Sequence, residues 1–105
     1  MAAFSVEFAP EAVEQLEQLE EYIAEQGSPR VATAFVDAIV GFCESLQSFP
    51  NRGTQRDDIR PGLRITNYKG SAIIAFAMMG EVVYVIGVFY GGQDYETVLS
   101  VTAGH

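Results

Sequence analysis

Three consecutive segments decide the fold: Ser71-Ala-Ile-Ile-Ala-Phe-Ala-Met78, Met79-Gly-Glu81 and Val82-Val-Tyr-Val-Ile-Gly-Val-Phe-Tyr90. The outer two are short, bounded by glycine and rich in β-branched and aromatic residues, a pattern of buried strands rather than helices. Gly80-Glu81 between them suits a tight hairpin, because glycine takes positive φ at no steric cost. Both faces of both strands are apolar. Strict alternation sends Ala72, Ile74, Phe76 and Met78 one way and Ile73, Ala75 and Ala77 the other. On the second strand Val82, Tyr84, Ile86, Val88 and Tyr90 alternate with Val83, Val85, Gly87 and Phe89. A short chain covers one such face with its own helices, so the second face is expected to meet a partner.

Upstream, residues 63–67 read as a further strand, with Leu63 and Ile65 inward and Arg64 and Thr66 outward, followed by a turn over residues 67–70. Downstream, residues 95–99 suit one helical turn, and the tail 100–105 is expected to fray. At the other end, Phe4-Ser-Val-Glu-Phe8 alternates apolar and polar, as a short strand does. Pro10 then fits a first helical turn. Ala12, Leu16, Leu19 and Ile23, with Val13 and Tyr22 beside them, form a core stripe, and Glu11, Glu14, Glu17, Gln18, Glu21 and Glu25 form a solvated face. Gly27 ends this helix. Ser28-Pro29 opens a second one as N-cap and first helical residue. It is expected to run to about Ser48, with Phe35, Ile39, Phe42 and Leu46 on one stripe and Val36, Val40 and Cys43 on another. The short link makes the two helices an antiparallel hairpin. Phe49-Pro-Asn-Arg-Gly53 then leads into a polar loop reaching about Gly62. The expected fold is α+β in two layers, β-α-α-β-β-β, with a helical hairpin packed on a mainly antiparallel four-stranded sheet.

The 105 residues fit a single domain over 1–105 with its core at about 4–99. A hydrophobic fraction of 49% supplies a real core. The net charge of −8 argues against non-specific nucleic-acid binding. The charge is also segregated: seven glutamates lie between Glu7 and Glu25, and five of the six basic residues lie between Arg52 and Lys69. The single cysteine, Cys43, falls in a helical apolar pattern, as a buried, inert thiol would. There is no leader-like pattern and no apolar run of membrane-spanning length, so the expected location is the cytoplasm, with no membrane partner.

Candidate chemistry is sparse. The only histidine is His105, which disfavours histidine catalysis and histidine-based metal binding. Glu17 and Glu21 lie one turn apart on a charged face without an inward-facing third ligand, so no metal is expected, and no cofactor motif is present. Arg60, Arg64 and Lys69 cluster around one strand. They serve either intramolecular pairing with Asp57, Asp58 or the first-helix glutamates, or a docking patch for an acidic segment or RNA phosphates. Tyr68, Tyr84, Tyr90 and Tyr95 suit packing better than base catalysis, because an ordinary phenol ionises only near pH ~10.

Five local patterns occur in order: Phe8-Ala-Pro-Glu-Ala12, Ser28-Pro-Arg-Val-Ala-Thr-Ala-Phe35, Leu46-Gln-Ser-Phe-Pro-Asn-Arg-Gly53, Ile59-Arg-Pro-Gly-Leu-Arg64 and Val88-Phe-Tyr-Gly-Gly-Gln-Asp94. Together they resemble the ParE toxins of the ParE/RelE toxin–antitoxin superfamily. The resemblance implies a first strand at the sheet edge beside the last one. It implies a toxin that inhibits DNA gyrase by binding, and a ParD-like ribbon-helix-helix antitoxin that neutralises it. The two would form a hetero-oligomer that represses its own operon, touching operator DNA only through the antitoxin. RelE-like relatives instead cut mRNA on the ribosome. Many family members end the last strand with His-Gly and one or two arginines, where this chain has Tyr90-Gly91-Gly92-Gln93-Asp94. Many also carry a polar or basic residue near Ile73 and Ala77, which are apolar here. The expectation is therefore a non-enzymatic inhibitor. Its alternatives are a RelE-like ribonuclease using Arg60, Arg64 and Tyr90, and an inert co-repressor module. The expected antitoxin or target surface comprises Arg60, Arg64, Lys69, Ile73, Ala75, Ala77 and Tyr90.

Overall fold

The chain runs β1 (Ser5–Phe8), α1 (Pro10–Gln26), α2 (Pro29–Glu44), a 3-10 turn (Ser45–Gln47), β2 (Thr54–Gln55), β3 (Leu63–Tyr68), β4 (Ala72–Met79), β5 (Val82–Tyr90) and α3 (Tyr95–Ala103). The computed structural model describes residues 4–91 and 93–103. The strands form one sheet in the order β1-β5-β4-β3-β2. β1 lies parallel to β5, with Phe8 opposite Val85 as the last pair, and the remaining pairs are antiparallel. This is the expected α+β architecture with its first strand beside its last. It has a fifth strand because Thr54 and Gln55 pair with Ile65 and Arg64. Two polar residues carry no periodicity, so the sequence reads as loop there.

Local chemistry sets the helix boundaries. Pro10 sits in the first turn of α1, where a missing N–H costs nothing. The Ser28 hydroxyl accepts from Val31 N–H at 3.2 Å, so Ser28 caps α2 as expected. α2 tightens into the 3-10 turn at Ser45, three residues before the end expected from its stripes. The β3–β4 turn places Lys69 at φ 50° and Gly70 at φ 71°. Positive φ at both central residues matches the right-handed twist of a hairpin.

The main core lies between the helical hairpin and one sheet face. Ala12, Leu16 and Leu19 of α1 and Val36, Ile39 and Cys43 of α2 meet Ile74, Phe76, Val83, Val85 and Val88. Fully buried Ile39, Leu46, Ile74 and Phe76 each contribute roughly 1.5–3 kcal/mol of transfer free energy. Tyr68 and Tyr90 pack here too, with Phe42–Tyr68 and Phe35–Tyr90 ring centroids 5.2 and 5.8 Å apart.

The sheet differs from expectation in three ways. First, its opposite face has its own cover. Leu63, Ile65, Ala75 and Phe89 form a second buried cluster with Leu99, edged by Ile59, Ile73, Ile86 and Tyr95. The covering element is α3, nine residues long rather than one turn, and it takes in part of the tail expected to fray; Gly104 and His105 lie outside the described residues. Second, the alternation of β5 breaks. Ala75 pairs with Gly87 and Phe76 with Val85, which leaves Ile86 as the extra residue of a β-bulge. Val83 and Val85 therefore share the helix-side core with Val88, a residue of opposite parity. Third, Thr66, opposite Ile74 on the helix side, is buried rather than outward. Both sheet faces are covered, so parity no longer sorts inside from outside.

Candidate functional site

The expected surface splits between the two faces. Ala75 is fully buried beneath α3, so it is core and not open surface. Ile73 and Ala77 are half-buried on that same side. Tyr90 lies on the opposite side, against Phe35 of the helical hairpin. The arginines are engaged inside the molecule. Arg64 donates to the carbonyls of Asn51, Arg52 and Gly53, pinning the chain that enters β2. Gly53 sits at φ 84°, where a Cβ would collide with the Ile65 carbonyl. Arg60 donates from Nη2 to the Leu99 carbonyl at 3.3 Å, at the middle of α3. Lys69 lies over the Tyr68 ring at 5.6 Å. Of the two uses expected for this basic segment, intramolecular bonding holds for Arg60 and Arg64, though to backbone carbonyls rather than carboxylates.

Arg56 carries more of the local electrostatics than any of these. Its guanidinium donates to Asp58 at 2.9 Å, to Glu96 at 2.6 Å and to the Tyr95 hydroxyl at 3.2 Å. These bonds hold Asp58 below its usual carboxylate range. The loop from Arg56 to Leu63 is thereby tied to α3. Sequence reading passed over Arg56; its one available signal is the nearby Asp58, because Glu96 is remote in the chain.

Two hollows flank the free part of β5. One, of about 360 Å³, is lined by Gln15, Gln18, Leu19, Tyr22, Val88, Tyr90, Gly91 and Gln93. The other, of about 480 Å³, is bordered on the far face by Arg60, Ala77, Met79, Tyr84, Ile86, Phe89, Val98 and Leu99, with Gln15 at its edge. Between them Gln15 Oε1 accepts from Val88 N–H at 2.7 Å. Gly87 makes room for this contact: a Cβ there would lie 2.8 Å from the Phe89 ring and 3.2 Å from Gln15 Oε1. Gln15 is the second residue that sequence reading missed. It stands three residues after Ala12 and four before Leu19, so a polar side chain falls inside the core stripe of α1, and that was the available signal.

A helical hairpin over this sheet order, with the last strand between β1 and β4, is the fold of ParE/RelE toxins. It superposes on a chain of the chromosomal ParDE toxin–antitoxin system from P. aeruginosa with a TM-score of 0.75 at 20% identity, covering 86% of this chain and 98% of that one. A chain of the RelBE2 toxin–antitoxin complex from Mycobacterium tuberculosis matches with a TM-score of 0.60 at 19% identity, covering 85% and 99%. No curated protein matches the chain significantly. The family model of the ParE toxin of type II toxin–antitoxin systems matches residues 6–95. The chain belongs to that family, as its five sequence patterns implied.

Proposed function

We propose that this ParE-family toxin acts in the cytoplasm by binding a host target, DNA gyrase by family resemblance, and not by cleaving a substrate. A ParD-like ribbon-helix-helix antitoxin holds it silent in a complex that represses its own operon. The reading rests on the family match over residues 6–95. The disposition of polar groups supports the non-enzymatic part. Arg60 and Arg64 are spent on backbone carbonyls, and Tyr90 lies against Phe35 across the sheet from Arg60's partner Leu99. General acid–base chemistry needs its groups within hydrogen-bond reach of one reacting centre, and these three do not converge. The exposed apolar rim at Met79 and Val98, beside the second hollow, is the kind of surface that a partner covers.

Induced expression without antitoxin tests this reading. Growth should stop, the DNA-damage response should rise, and plasmid supercoiling should fall; co-expression of the antitoxin should restore all three. Normal growth would sink the toxin reading, and codon-linked cuts in mRNA would replace it with a ribonuclease.

A further inference from the structure

We propose that β5 accepts one more strand along its edge beyond Val85, supplied by the antitoxin as an extended segment with apolar side chains at alternating positions. This inference rests on the antitoxin reading above and assigns that partner a binding mode.

β1 stops pairing at Phe8–Val85, and Ala9 N–H closes the ladder on the Val85 carbonyl at 2.9 Å. From Ile86 to Tyr90, β5 has β4 on one side and no strand on the other among the described residues. Two backbone donors face that vacant side, on Val88 and Tyr90, one strand repeat of roughly 7 Å apart. Each is capped by a glutamine. Gln15 Oε1 accepts from Val88 N–H at 2.7 Å, and Gln93 Oε1 accepts from Tyr90 N–H at 2.9 Å. A glutamine carboxamide oxygen is chemically the same acceptor as a peptide carbonyl. The pair therefore stands where alternate carbonyls of an adjoining strand would stand, and blunts the edge in its absence. Exchanging a side-chain amide for a main-chain one conserves the hydrogen bonds, so the exchange itself is close to neutral.

Side chains supply the driving force. Gln15 is the wall shared by the two hollows on opposite faces of the sheet. Successive residues of an extended chain point to opposite faces, so a strand laid here sends one side chain toward Leu19 and Tyr22 and the next toward Ile86 and Phe89. Charge at the second hollow is mixed, with Glu11 and Arg60 both on its lining, so recognition there falls to the apolar side chains of the added strand.

The test is residue-resolved amide exchange by NMR on the full chain, alone and copurified with its antitoxin. Exchange at Val88 and Tyr90 should slow by about tenfold or more in the complex, with cross-strand NOEs from both amides to the antitoxin. Gln15→Ala and Gln93→Ala should speed exchange at these amides in the free chain and leave the complex intact. A stable complex in which both amides exchange at free-chain rates, or are protected without cross-strand NOEs, would overturn strand addition alone. Loss of the complex in both variants would also overturn it, because the glutamines would then be the contacts. Absence of any complex would overturn the antitoxin reading, and strand addition with it.

Discussion

Burial sets the chemistry of Cys43. The thiol is fully enclosed on α2, and burial, with a smaller contribution from the Glu44 carboxylate, pushes it from 9.0 up to about 12. Since the thiolate is the reactive form, Cys43 should resist Ellman's reagent at pH 8 in the native chain and react at once in denaturant. A raised folded-state value also fixes the sign of the linkage: the contribution to stability is complete below pH 9.0 and is lost as pH rises toward about 12. Burial decides the outcome at Ala75 as well. Its side chain is fully buried among Leu63, Ile65, Phe89 and Leu99, so Ala75→Glu places an unpaired charge in the second core. The expected loss is roughly 3 kcal/mol or more in a denaturant titration. Ala77→Glu, half-buried at the hollow bordered by Arg60, should cost far less. Equal losses would mean that the two positions share one environment.

α3 is the element whose hold on the fold is most conditional. Asp94 caps it, accepting from the Thr97 hydroxyl at 2.6 Å and the Thr97 N–H at 3.2 Å, and these bonds keep its carboxyl below the usual value. Arg56 holds Tyr95 and Glu96, Arg60 holds the Leu99 carbonyl, and Leu99 itself enters the second cluster. Asp94 and Asp58 both have depressed folded-state values. Their contribution is therefore present above the ordinary 3.8 and disappears as pH falls below it. Acidification through that window should loosen α3 before the main core, seen as a moving Leu99 methyl resonance while those of Ile39 and Ile74 hold still. Asp94→Ala should show loosened α3 signals already at neutral pH. Periodicity made β1, α1, α2, β4 and β5 legible, because each repeats a face pattern over enough residues to register. α3 was legible only as a turn: what fixes its length is contact with Arg56, Arg60 and Phe89, none of them its neighbours in sequence. The bulge at Ile86 was hidden for the related reason that both faces of β5 are apolar, so a slipped parity leaves no polar residue in the wrong place. The split of the expected site between two faces follows directly from that bulge and from α3.

At the scale of the whole molecule, the segregated charge resolves into an acidic exterior and a structurally engaged basic segment. Arg52 lies over the Phe42 and Phe49 rings at 5.3 and 5.1 Å, Arg56 is paired, Arg60 and Arg64 bind carbonyls, and Lys69 lies over Tyr68. With the cations of this segment so employed, the segment has little to offer nucleic acid directly, in keeping with the chain's net charge of −8. What it offers a protein partner is apolar. Met79 is 61% exposed at the end of β4, bordering the same hollow as Ile86 and Phe89. A side chain already in water contributes little to the fold, so Met79→Glu should leave the denaturation midpoint nearly unchanged. If the antitoxin covers this hollow, the same substitution buries a carboxylate on association and should weaken the complex by roughly tenfold or more. Met79→Gln separates lost apolar contact from charge: it should weaken binding less, and its effect should not vary with salt, whereas part of the Glu effect should be screened. An unchanged affinity for both variants would place the partner's footprint away from this rim and confine it to the β5 edge and the helical hairpin.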